Sequence, residues 1–521
     1  MKKRMWKTYL TALIFLVFFA EGRAISAETP PVGVDKDSFN VVLITINVLR
    51  ADHVSCYGYD RKTTPAIDAL AENASVFKNA FTQAGYTFPN MISILTSVYP
   101  DSHKVYLAFK DKLSPNVKTL PELLRIFGYQ TAWFAVLEDP HLALDAGFGR
   151  GFDFKKVVDM QLNGKEAIPE WIEQHKEKPF FVAMNLRHTH VPYFPLDKYR
   201  SAFKSGEKGP LIEDYQQLER KVYAIIVKGI EESDPEFTGL FAQDVIEKNK
   251  DIFDGSYNPE KFSLMEDQII LDQRHKLGSL MMKNYNESVN TSSKDNLDYF
   301  ISLYDACILG TDQEVVQPVI DVLKKEKLFD KTLIIVTGDH GEAHGEHGVL
   351  GHGTQFYEQQ IHVPLVVKLP GQSAKKEFED MVQSIDIMPT ILDVAGVEKP
   401  YYIHGKSLMP IIDGKDESTE REYVYGENYE RCYIRSRQWK LIMKRKELQE
   451  GSSLSDMLFH LADDPNELSN AKEQFPLVHK ELRAKLKKHL VSLPDFTDKK
   501  YQFAPNIDST TQERIKKTGY W

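Results

Sequence analysis

Cysteine is scarce in this sequence of 521 residues, which has only Cys56, Cys307 and Cys432. Three cysteines cannot all pair with one another, and none of them has the spacing of a cysteine metal site. The count excludes a cysteine-based metal centre. We expect all three to be small buried side chains.

An excess of positive charge is also missing. The chain has 65 Lys and Arg against 75 Asp and Glu, which gives a formal net charge of -10. Proteins that bind nucleic acid carry a basic patch or stripe, so we expect no nucleic-acid partner. The acidic residues are scattered, as is typical of a solvated surface.

Long apolar runs are missing after the N-terminal region, so no membrane span is expected in the mature protein. The N-terminus itself has basic residues, then an apolar core at 9–20 and a small-residue stretch that ends at Ala27. This pattern is typical of a secretory signal peptide over 1–27. We predict an exported protein, periplasmic or secreted, with an uncleaved membrane anchor as the alternative.

Apolar segments of strand length recur along the chain and alternate with helical patterns. They are rich in β-branched and aromatic residues, and they lie at 39–46, 131–136, 180–185, 332–337 and 363–368. This alternation predicts an α/β fold with a large, mainly parallel sheet sandwiched by helices. Further short strands and an amphipathic helix near the C-terminus predict a small antiparallel sheet plus helix.

The chain is too long for one small core. We divide the mature chain into an α/β domain over 28–419 and a C-terminal α+β subdomain over 420–521. Residues 201–296 are rich in Glu and Lys with periodic apolar positions, which predicts a mostly helical insertion. The favoured interpretation of this insertion is a lid or packing appendage without chemistry of its own, and we expect it to shape the site entrance.

The segment GDHGEAHGEHG (338–348) combines three histidines and three carboxylates with four glycines. It follows the predicted strand at 332–337, and ligands of open α/β sheets bind beyond the carboxyl ends of strands. Asp339 and His340 form a mixed oxygen and nitrogen pair that suits a divalent cation. A polar turn with satisfied histidines is the alternative.

Polar residues also follow or adjoin the other predicted strands, at Asn47, at Thr87 and at His188 and His190. Their shared position at strand ends is the reason to group them with Asp339 and His340. We predict that Thr87 is the N-cap of a helix with Pro89 in its first turn. The helix dipole there would stabilise an alkoxide or a bound oxyanion.

Several motifs together resemble the sulfatase family of the alkaline phosphatase superfamily. The N-terminal ones are NVVLITINVLRADH (40–53), CYGY (56–59) and TTPAID (63–68). The later ones are DHGE (339–342) with His352-Gly353, HVPL (362–365), DIMPT (386–390), GKSL (405–408), WKLI (439–442) and DPNE (464–467). The resemblance covers nearly the whole mature chain except 201–296.

The resemblance implies a metal-bound nucleophile that attacks sulfur or phosphorus in an ester. It assigns the role of nucleophile to Thr87 and the role of metal ligand to Asn47, Thr87, Asp339 and His340. It implies that His190 and His352 contact the transferred group or the leaving oxygen. The implied cofactor is one divalent cation, with Ca²⁺ favoured and Mg²⁺, Mn²⁺ or Zn²⁺ as alternatives. Arg50 and His347 are weaker candidates that would support the loops, and a two-metal site using His344 or His347 is disfavoured.

Two departures from the family pattern affect the expected chemistry. Sulfatases usually carry Cys/Ser-x-Pro-Ser-Arg, in which the first residue is oxidised to formylglycine, whereas this chain has TFPNM (87–91). Oxidation of Thr87 would give a ketone, so we predict no formylglycine. Asn47 stands where the family has Asp, so the site loses one negative charge.

We therefore predict an exported, metal-dependent hydrolase of a sulfate-type ester with Thr87 as nucleophile. One alternative is a phosphodiester or phosphonate hydrolase or a phosphoethanolamine-type transferase, since those relatives use a plain Thr. Another alternative is a degenerate member that binds anions without turnover, which Asn47 favours. The expected partner is a sulfate- or phosphate-ester substrate, and the sequence does not indicate an oligomeric state.

Overall fold

The computed structural model describes residues 39–107, 111–136, 147–158, 164–203, 211, 215–242, 244–258, 261–262, 264–265, 269, 274–353, 355–414 and 421–497. The predicted signal peptide lies outside these ranges. Among the described residues, no helix is both long and apolar enough to cross a membrane.

An eight-stranded sheet forms the centre of the molecule. Its strands are β1 (Asn40–Ile46), β2 (Ser75–Phe81), β3 (Gln130–Val136), β4 (Phe154–Val158), β5 (Phe180–Leu186), β6 (Thr332–Gly338), β9 (His362–Lys368) and β10 (Lys376–Gln383). They lie in the order β10-β2-β9-β6-β1-β5-β3-β4. Only β9 runs antiparallel to its neighbours β2 and β6 in this sheet. The predicted α/β class with a mainly parallel sheet is confirmed.

Helices cover both faces of this sheet. Consecutive residues of β1 enter different hydrophobic clusters, with Val42 and Ile44 in one and Val41 and Leu43 in the other. A strand that is buried on both faces needs apolar residues at every position, and all seven residues of β1 are buried. This is why the strand reads as a continuous apolar run in the sequence.

The helices have the following bounds. They are α1 (Pro65–Ala71), α2 (Thr87–Thr96), α3 (Pro100–His103), α4 (Leu120–Ile126), α5 (Gly164–His175), α6 (Tyr215–Glu231), α7 (Pro235–Thr238), α8 (Val245–Lys248), α9 (Arg274–Ser288), α10 (Lys294–Thr311), α11 (Gln317–Lys325), α12 (Glu358–Ile361), α13 (Ile387–Val394), α14 (Met409–Ile412), α15 (Arg445–Glu450) and α16 (Pro476–Ser492). A π-helical turn, Asp312–Val316, joins α10 to α11.

A smaller antiparallel sheet follows, with strands β11 (Val424–Glu427), β12 (Arg431–Arg435), β13 (Trp439–Lys444) and β14 (Met457–His460). One face packs against the main sheet through Tyr433 and Ile442. The other face packs against α16 through Leu482 and Leu486. The predicted C-terminal antiparallel sheet plus helix is confirmed. Two short strands, β7 (Ala343–His344) and β8 (Leu350–Gly351), pair within the site loop.

Helices α6 to α9 lie within the predicted insertion at 201–296. Val222 and Ile226 of α6 and Tyr285 of α9 belong to the core cluster on one face of the main sheet. The described helices of this segment therefore pack on the α/β core. Its boundaries as a separate unit stay a prediction. Cys307 and Cys432 are buried, as expected, and Cys56 is half-buried.

Candidate active site

The candidate site lies where three adjacent parallel strands end. Ile46 of β1 is in register with Leu186 of β5 and with Gly338 of β6. The next residues along each strand therefore share one edge of the sheet, which brings Asn47 beside Asp339. The predicted convergence of strand ends follows from this register.

The Asp339 carboxylate is fully buried and receives hydrogen bonds on both oxygens. Its Oδ1 accepts from the backbone N–H of Val48 at 3.0 Å and of His340 at 2.8 Å. Its Oδ2 accepts from Asn47 Nδ2 at 2.6 Å and from Asn185 Nδ2 at 3.4 Å. The protein thus compensates one buried negative charge with neutral donors.

Val48 has a left-handed backbone with a φ of 51°, which is rare for a β-branched residue. The residue is fully buried, and its N–H is one of the donors to Asp339. The Tyr304 hydroxyl donates to the Val48 carbonyl oxygen at 2.7 Å. Such backbone strain persists only where surrounding contacts hold it, so these bonds keep the Asn47 turn in place.

Thr87 is the first residue of α2, and its hydroxyl faces the side chains at the strand ends. Thr87 Oγ1 accepts from Asn47 Nδ2 at 2.8 Å and lies 3.1 Å from His340 Nε2. The preceding turn approaches the site loop closely, because a Cβ on Gly85 would collide with the Gly353 carbonyl oxygen. Thr87 is therefore held against the Asp339–His340 motif.

The prediction that Thr87 is the N-cap of this helix is wrong. The N-cap is Tyr86, and no side chain caps the first turn. The Thr87 hydroxyl contacts Asn47 and His340, so it is directed across the site and away from the N–H groups of its own helix. Tertiary contacts have replaced the local capping bond that the sequence favours.

His340 is a neutral imidazole with a defined tautomer. Burial lowers its pKa to about 4. Its Nδ1 lies 2.8 Å from the Gly341 carbonyl oxygen, which can only accept, so Nδ1 carries the proton. Nε2 therefore presents its lone pair, and the Thr87 hydroxyl donates to it.

His352 joins the site from the far end of the same loop. Its ring centroid lies 4.5 Å from that of His340 and 4.9 Å from that of His190. His352 Nδ1 donates to Glu342 Oε1 at 2.8 Å. This bond fixes the ring and leaves Nε2 for other contacts.

Glu342 is in turn held by a chain of buried groups that runs away from the pocket. Tyr193 donates its hydroxyl proton to Glu342 Oε2 and accepts from His344 Nε2 at 3.0 Å. Arg50 lies 3.3 Å from His344 Nδ1 and donates to the Glu342 carbonyl oxygen at 3.0 Å. Residues of this kind orient the groups that face the pocket.

His190 lies beside His352, as the ring contact shows, whereas His188 is apart. Burial and the charge of Arg187 lower the pKa of His190 well below its usual range. Its Nδ1 bonds to the Val191 carbonyl oxygen, so the neutral ring presents Nε2 as an acceptor. His188 is buried with an unpartnered Nδ1, and burial lowers its pKa to about 3.

The four proposed metal ligands fit a divalent cation, although with little negative charge. Asn47 Oδ1 is buried and has no hydrogen-bond partner among the described residues. Asp339 contributes carboxylate oxygen, His340 the Nε2 lone pair and Thr87 a hydroxyl. Oxygen and imidazole donors of this kind suit hard or borderline cations, but only Asp339 is charged.

Arg50 and His347, the weaker candidates from the sequence, lie outside the group of four proposed metal ligands. Arg50 forms ion pairs with Asp52 and Glu346 at 2.7 and 2.8 Å. His347 stacks on Tyr357 with ring centroids 3.6 Å apart. In the part of the chain that the structure describes, no three His, Cys, Asp or Glu side chains form a group that could hold a metal ion.

Sequence reasoning missed three residues that support the site. Asn185, the last residue but one of β5, bonds to Asp339, Tyr193 bonds to Glu342, and Glu342 orients His352. Glu342 lay inside the recognised motif but had no assigned role. Tyr193 and Asn185 flank the His188 and His190 segment, and only the folded contacts give them a role.

Comparisons with known proteins identify relatives over most of this chain. The family model described as Sulfatase matches residues 39–397, and one described as N-sulphoglucosamine sulphohydrolase, C-terminal, matches residues 345–495. The N-acetylglucosamine-6-O-sulfatase of Bacteroides thetaiotaomicron is 24% identical over 503 residues, which cover 89% of this chain and 87% of that protein. Arylsulfatase K of Homo sapiens is 23% identical over 510 residues, which cover 92% and 87%.

Solved structures show the same fold. A protein solved in complex with its substrate D-glucosamine-2-N,6-O-disulfate has a TM-score of 0.62 at 20% identity, with 91% of this chain and 100% of that chain covered. The phosphonate monoester hydrolase of Agrobacterium radiobacter has a TM-score of 0.62 at 20% identity, with 87% and 95% covered. Because the Sulfatase model spans most of the sequence, the chain belongs to the sulfatase family of hydrolases.

Proposed function

We propose that this protein hydrolyses a sulfate-type ester through Thr87, without formylglycine. The proposal rests on the position of the Thr87 hydroxyl. The oxygen lies between Asn47 Nδ2 and His340 Nε2, at the N-terminus of α2, whose first turn has no side-chain cap. A hydroxyl with an adjacent proton acceptor is the arrangement of an activated nucleophile.

The residues supply a route for the proton. Thr87 Oγ1 attacks the sulfur in line and the S–O bond to the alcohol breaks. The hydroxyl proton moves to His340 Nε2 or, where a cation binds that lone pair, to water. His190 and His352 face the leaving oxygen as neutral rings, and that oxygen takes its proton from water as the alcohol departs. Attack of water on the sulfated Thr87 then releases sulfate and restores the hydroxyl.

Sulfatase-family enzymes generally use a divalent metal. A cation bound by Asn47, Thr87, Asp339 and His340 would supply positive charge opposite the equatorial oxygens of the ester. Asn47 would turn its Oδ1 toward such a cation. Ca²⁺ is the favoured ion, since three of the four ligands offer oxygen.

The experiment compares the wild-type protein with Thr87→Ala and Thr87→Ser on 4-nitrophenyl sulfate. Thr87→Ala should lower kcat by about 1,000-fold or more because the nucleophile is lost. Thr87→Ser should retain most activity because it keeps the hydroxyl. Intact-mass analysis should show residue 87 unmodified in the resting enzyme. Unchanged hydrolysis by Thr87→Ala would refute the proposal.

Phosphorus-ester chemistry is the second candidate, and the unmodified Thr87 hydroxyl favours it. A formylglycine hydrate can expel sulfate by elimination, whereas a threonine ester must be broken by a second attack. The same variants on bis(4-nitrophenyl) phosphate and on an aryl phosphonate separate the two candidates. If the protein hydrolyses these phosphorus esters, loses that activity in Thr87→Ala and does not hydrolyse the aryl sulfate, then its substrate is a phosphorus ester.

We also propose that the protein is exported, on the strength of the N-terminal pattern at 1–27. A relative from Drosophila melanogaster is named Extracellular sulfatase SULF-1 homolog. Fractionation of producing cells with N-terminal sequencing tests this, since export predicts a mature chain that begins at Glu28.

A further inference from the structure

A cleft of about 390 Å³ lies between the site loop and the C-terminal sheet. The loop side contributes His347, Gln355 and Tyr357, and the sheet side contributes Arg431 and Lys444. Gln355 is three residues from His352, so their Cα atoms are at most roughly 11 Å apart. The cleft is therefore adjacent to the candidate active site.

Two basic residues face each other across the strands that line this cleft. Arg431 of β12 is the register partner of Lys444 of β13. Directly opposed side chains on an antiparallel pair lie on the same face, and like charges in this position are destabilising. That face is the one that carries Tyr433 and Ile442 toward the main sheet. The two positive charges thus point to the side of the site loop.

Neither charge is held in a close ion pair among the described residues, although Glu447 lies within electrostatic range of Lys444. Within the described ranges, neither Arg431 nor Lys444 forms a salt bridge, and Arg431 Nε is buried without a hydrogen-bond partner. His347 Nε2, across the cleft, is likewise buried and unpartnered. A buried donor that is left unsatisfied is costly and calls for an explanation such as a ligand.

The carboxylate in the lining, Asp456, is paired with other groups. It is fully buried and bonds through Oδ2 to Arg483 and to His479 Nε2, the latter at 2.8 Å, whereas its Oδ1 has no hydrogen-bond partner among the described residues. The cleft therefore presents a guanidinium, an ammonium and an imidazole beside an aromatic ring. This set suits a negatively charged oxygen-rich group.

We propose that this cleft is a second anion subsite, which holds a non-reacting sulfate or carboxylate of the substrate while Thr87 faces the scissile ester. The substrate is then a molecule with at least two anionic groups. This assignment rests on the proposed function for its substrate role. The binding of an anion at Arg431 and Lys444 is testable without turnover.

Titration calorimetry with sucrose octasulfate tests the subsite. Arg431→Gln and Lys444→Gln should each weaken its affinity by about 5- to 20-fold, since each removes a charge-assisted contact that is partly exposed. Lys446→Gln is the matched control, because Lys446 lies two residues away with 83% of its side chain exposed. It should change the affinity less than 2-fold.

A carboxylate probe, trigalacturonate, distinguishes the two kinds of anion. Whichever probe loses affinity in the Arg431 and Lys444 variants identifies the group that the cleft takes. The proposal fails if wild-type protein binds neither probe, or if Lys446→Gln loses as much affinity as the cleft variants. Thermal melts establish folding, and two separate variants guard against one that misfolds.

Binding by an inactive variant separates this proposal from the proposed function. Thr87→Ala should bind the probe as tightly as the wild type, because Thr87 does not line the cleft. A loss of more than 5-fold in Thr87→Ala would show that the probe binds at the candidate active site, and the subsite assignment would then be wrong.

Discussion

The Asn47 side chain decides how the charge of Asp339 is balanced. Its amide donates to Asp339 Oδ2 and to Thr87 Oγ1, so the pocket is hydrogen-bonded as it stands. A carboxylate in place of the amide would face Asp339 Oδ2 at the 2.6 Å that now separates donor and acceptor. Two such carboxylates cannot both ionise unless a cation lies between them.

Asn47→Asp should therefore make stability depend on metal. In EDTA the variant should lose about 2 to 4 kcal/mol relative to wild type, because like charges meet in a buried site. Added Ca²⁺ should restore most of the loss, whereas the wild type should respond less. Thermal melts with EDTA and with Ca²⁺ measure both effects.

Asn466→Asp is the control for this prediction. It adds the same charge at an exposed residue and should change neither stability nor the response to Ca²⁺. If Ca²⁺ stabilises the wild type as much as it stabilises Asn47→Asp, the Asn47 amide binds the cation as well as a carboxylate does.

The sequence predicted the residues that converge but not how they bond. Asp339 and His340 follow one apolar strand and Asn47 follows another, so their proximity results from parallel pairing of the two strands. The direction of the Thr87 hydroxyl depends on Asn47 and His340, which are 40 and 253 residues away in the chain. Local capping rules cannot include such partners, and this is why the N-cap prediction was wrong.

At the scale of elements, Asp312 in the π-helical turn between α10 and α11 caps the N-terminus of another helix, α1. Asp312 accepts from the N–H groups of Ala66 and Ile67 in α1, at 2.8 and 3.0 Å. These are first-turn donors that lack partners within their own helix. Burial nevertheless raises the pKa of Asp312 from 3.8 to about 7.

This pKa predicts a stability that falls as the pH rises. Between pH 4 and 7 the folded state keeps a proton on Asp312 that the unfolded state has lost. The contribution of Asp312 to the free energy of unfolding is fully present below pH 4, decreases as the pH rises, and is lost once the pH passes 7. The free energy of unfolding of wild type, relative to Asp312→Asn, should drop by on the order of 2 kcal/mol from pH 5 to 7.5.

Urea denaturation of the two proteins at both pH values provides the measurement. Asp321→Asn, on the exposed side of α11, should show no such change relative to wild type. If the difference between wild type and Asp312→Asn is the same at both pH values, the two N–H groups keep Asp312 ionised.

Most elements of the fold follow from sequence patterns, and the exceptions have physical reasons. The strand at 363–368 was expected, but its antiparallel direction depends on the path of the chain through the site loop. The π-helical turn at Asp312–Val316 has no signal in the sequence patterns, and its extra residue per turn brings the Asp312 carboxylate to α1.

At the scale of the whole molecule, buried charges join the two sheets. Lys440 of the C-terminal sheet is fully buried between Glu358, which follows the site loop, and Glu467, at 3.0 and 2.5 Å. Arg435 also bonds to Glu358, at 3.0 Å. The loop that ends near His352 is thus anchored by charges from the C-terminal strands.

Lys440→Met should destabilise the protein strongly. The change leaves two buried carboxylates with less compensating charge, so we expect a loss of about 3 to 5 kcal/mol in the free energy of unfolding. Lys487→Met, exposed on α16, should stay within about 0.5 kcal/mol. Chemical denaturation followed by tryptophan fluorescence compares them. A loss below 1 kcal/mol for Lys440→Met would show that Arg435 alone compensates Glu358.

The position of β1 between β5 and β6 has a consequence for synthesis of the chain. Asn47 and Asp339 are 292 residues apart, and β1 is apolar on both faces. At typical elongation rates, roughly 15 to 60 s pass between the synthesis of the first strand and of its partner. Throughout that time β1 lacks one neighbour and is a target for chaperones, so a nascent chain halted before residue 332 should be insoluble.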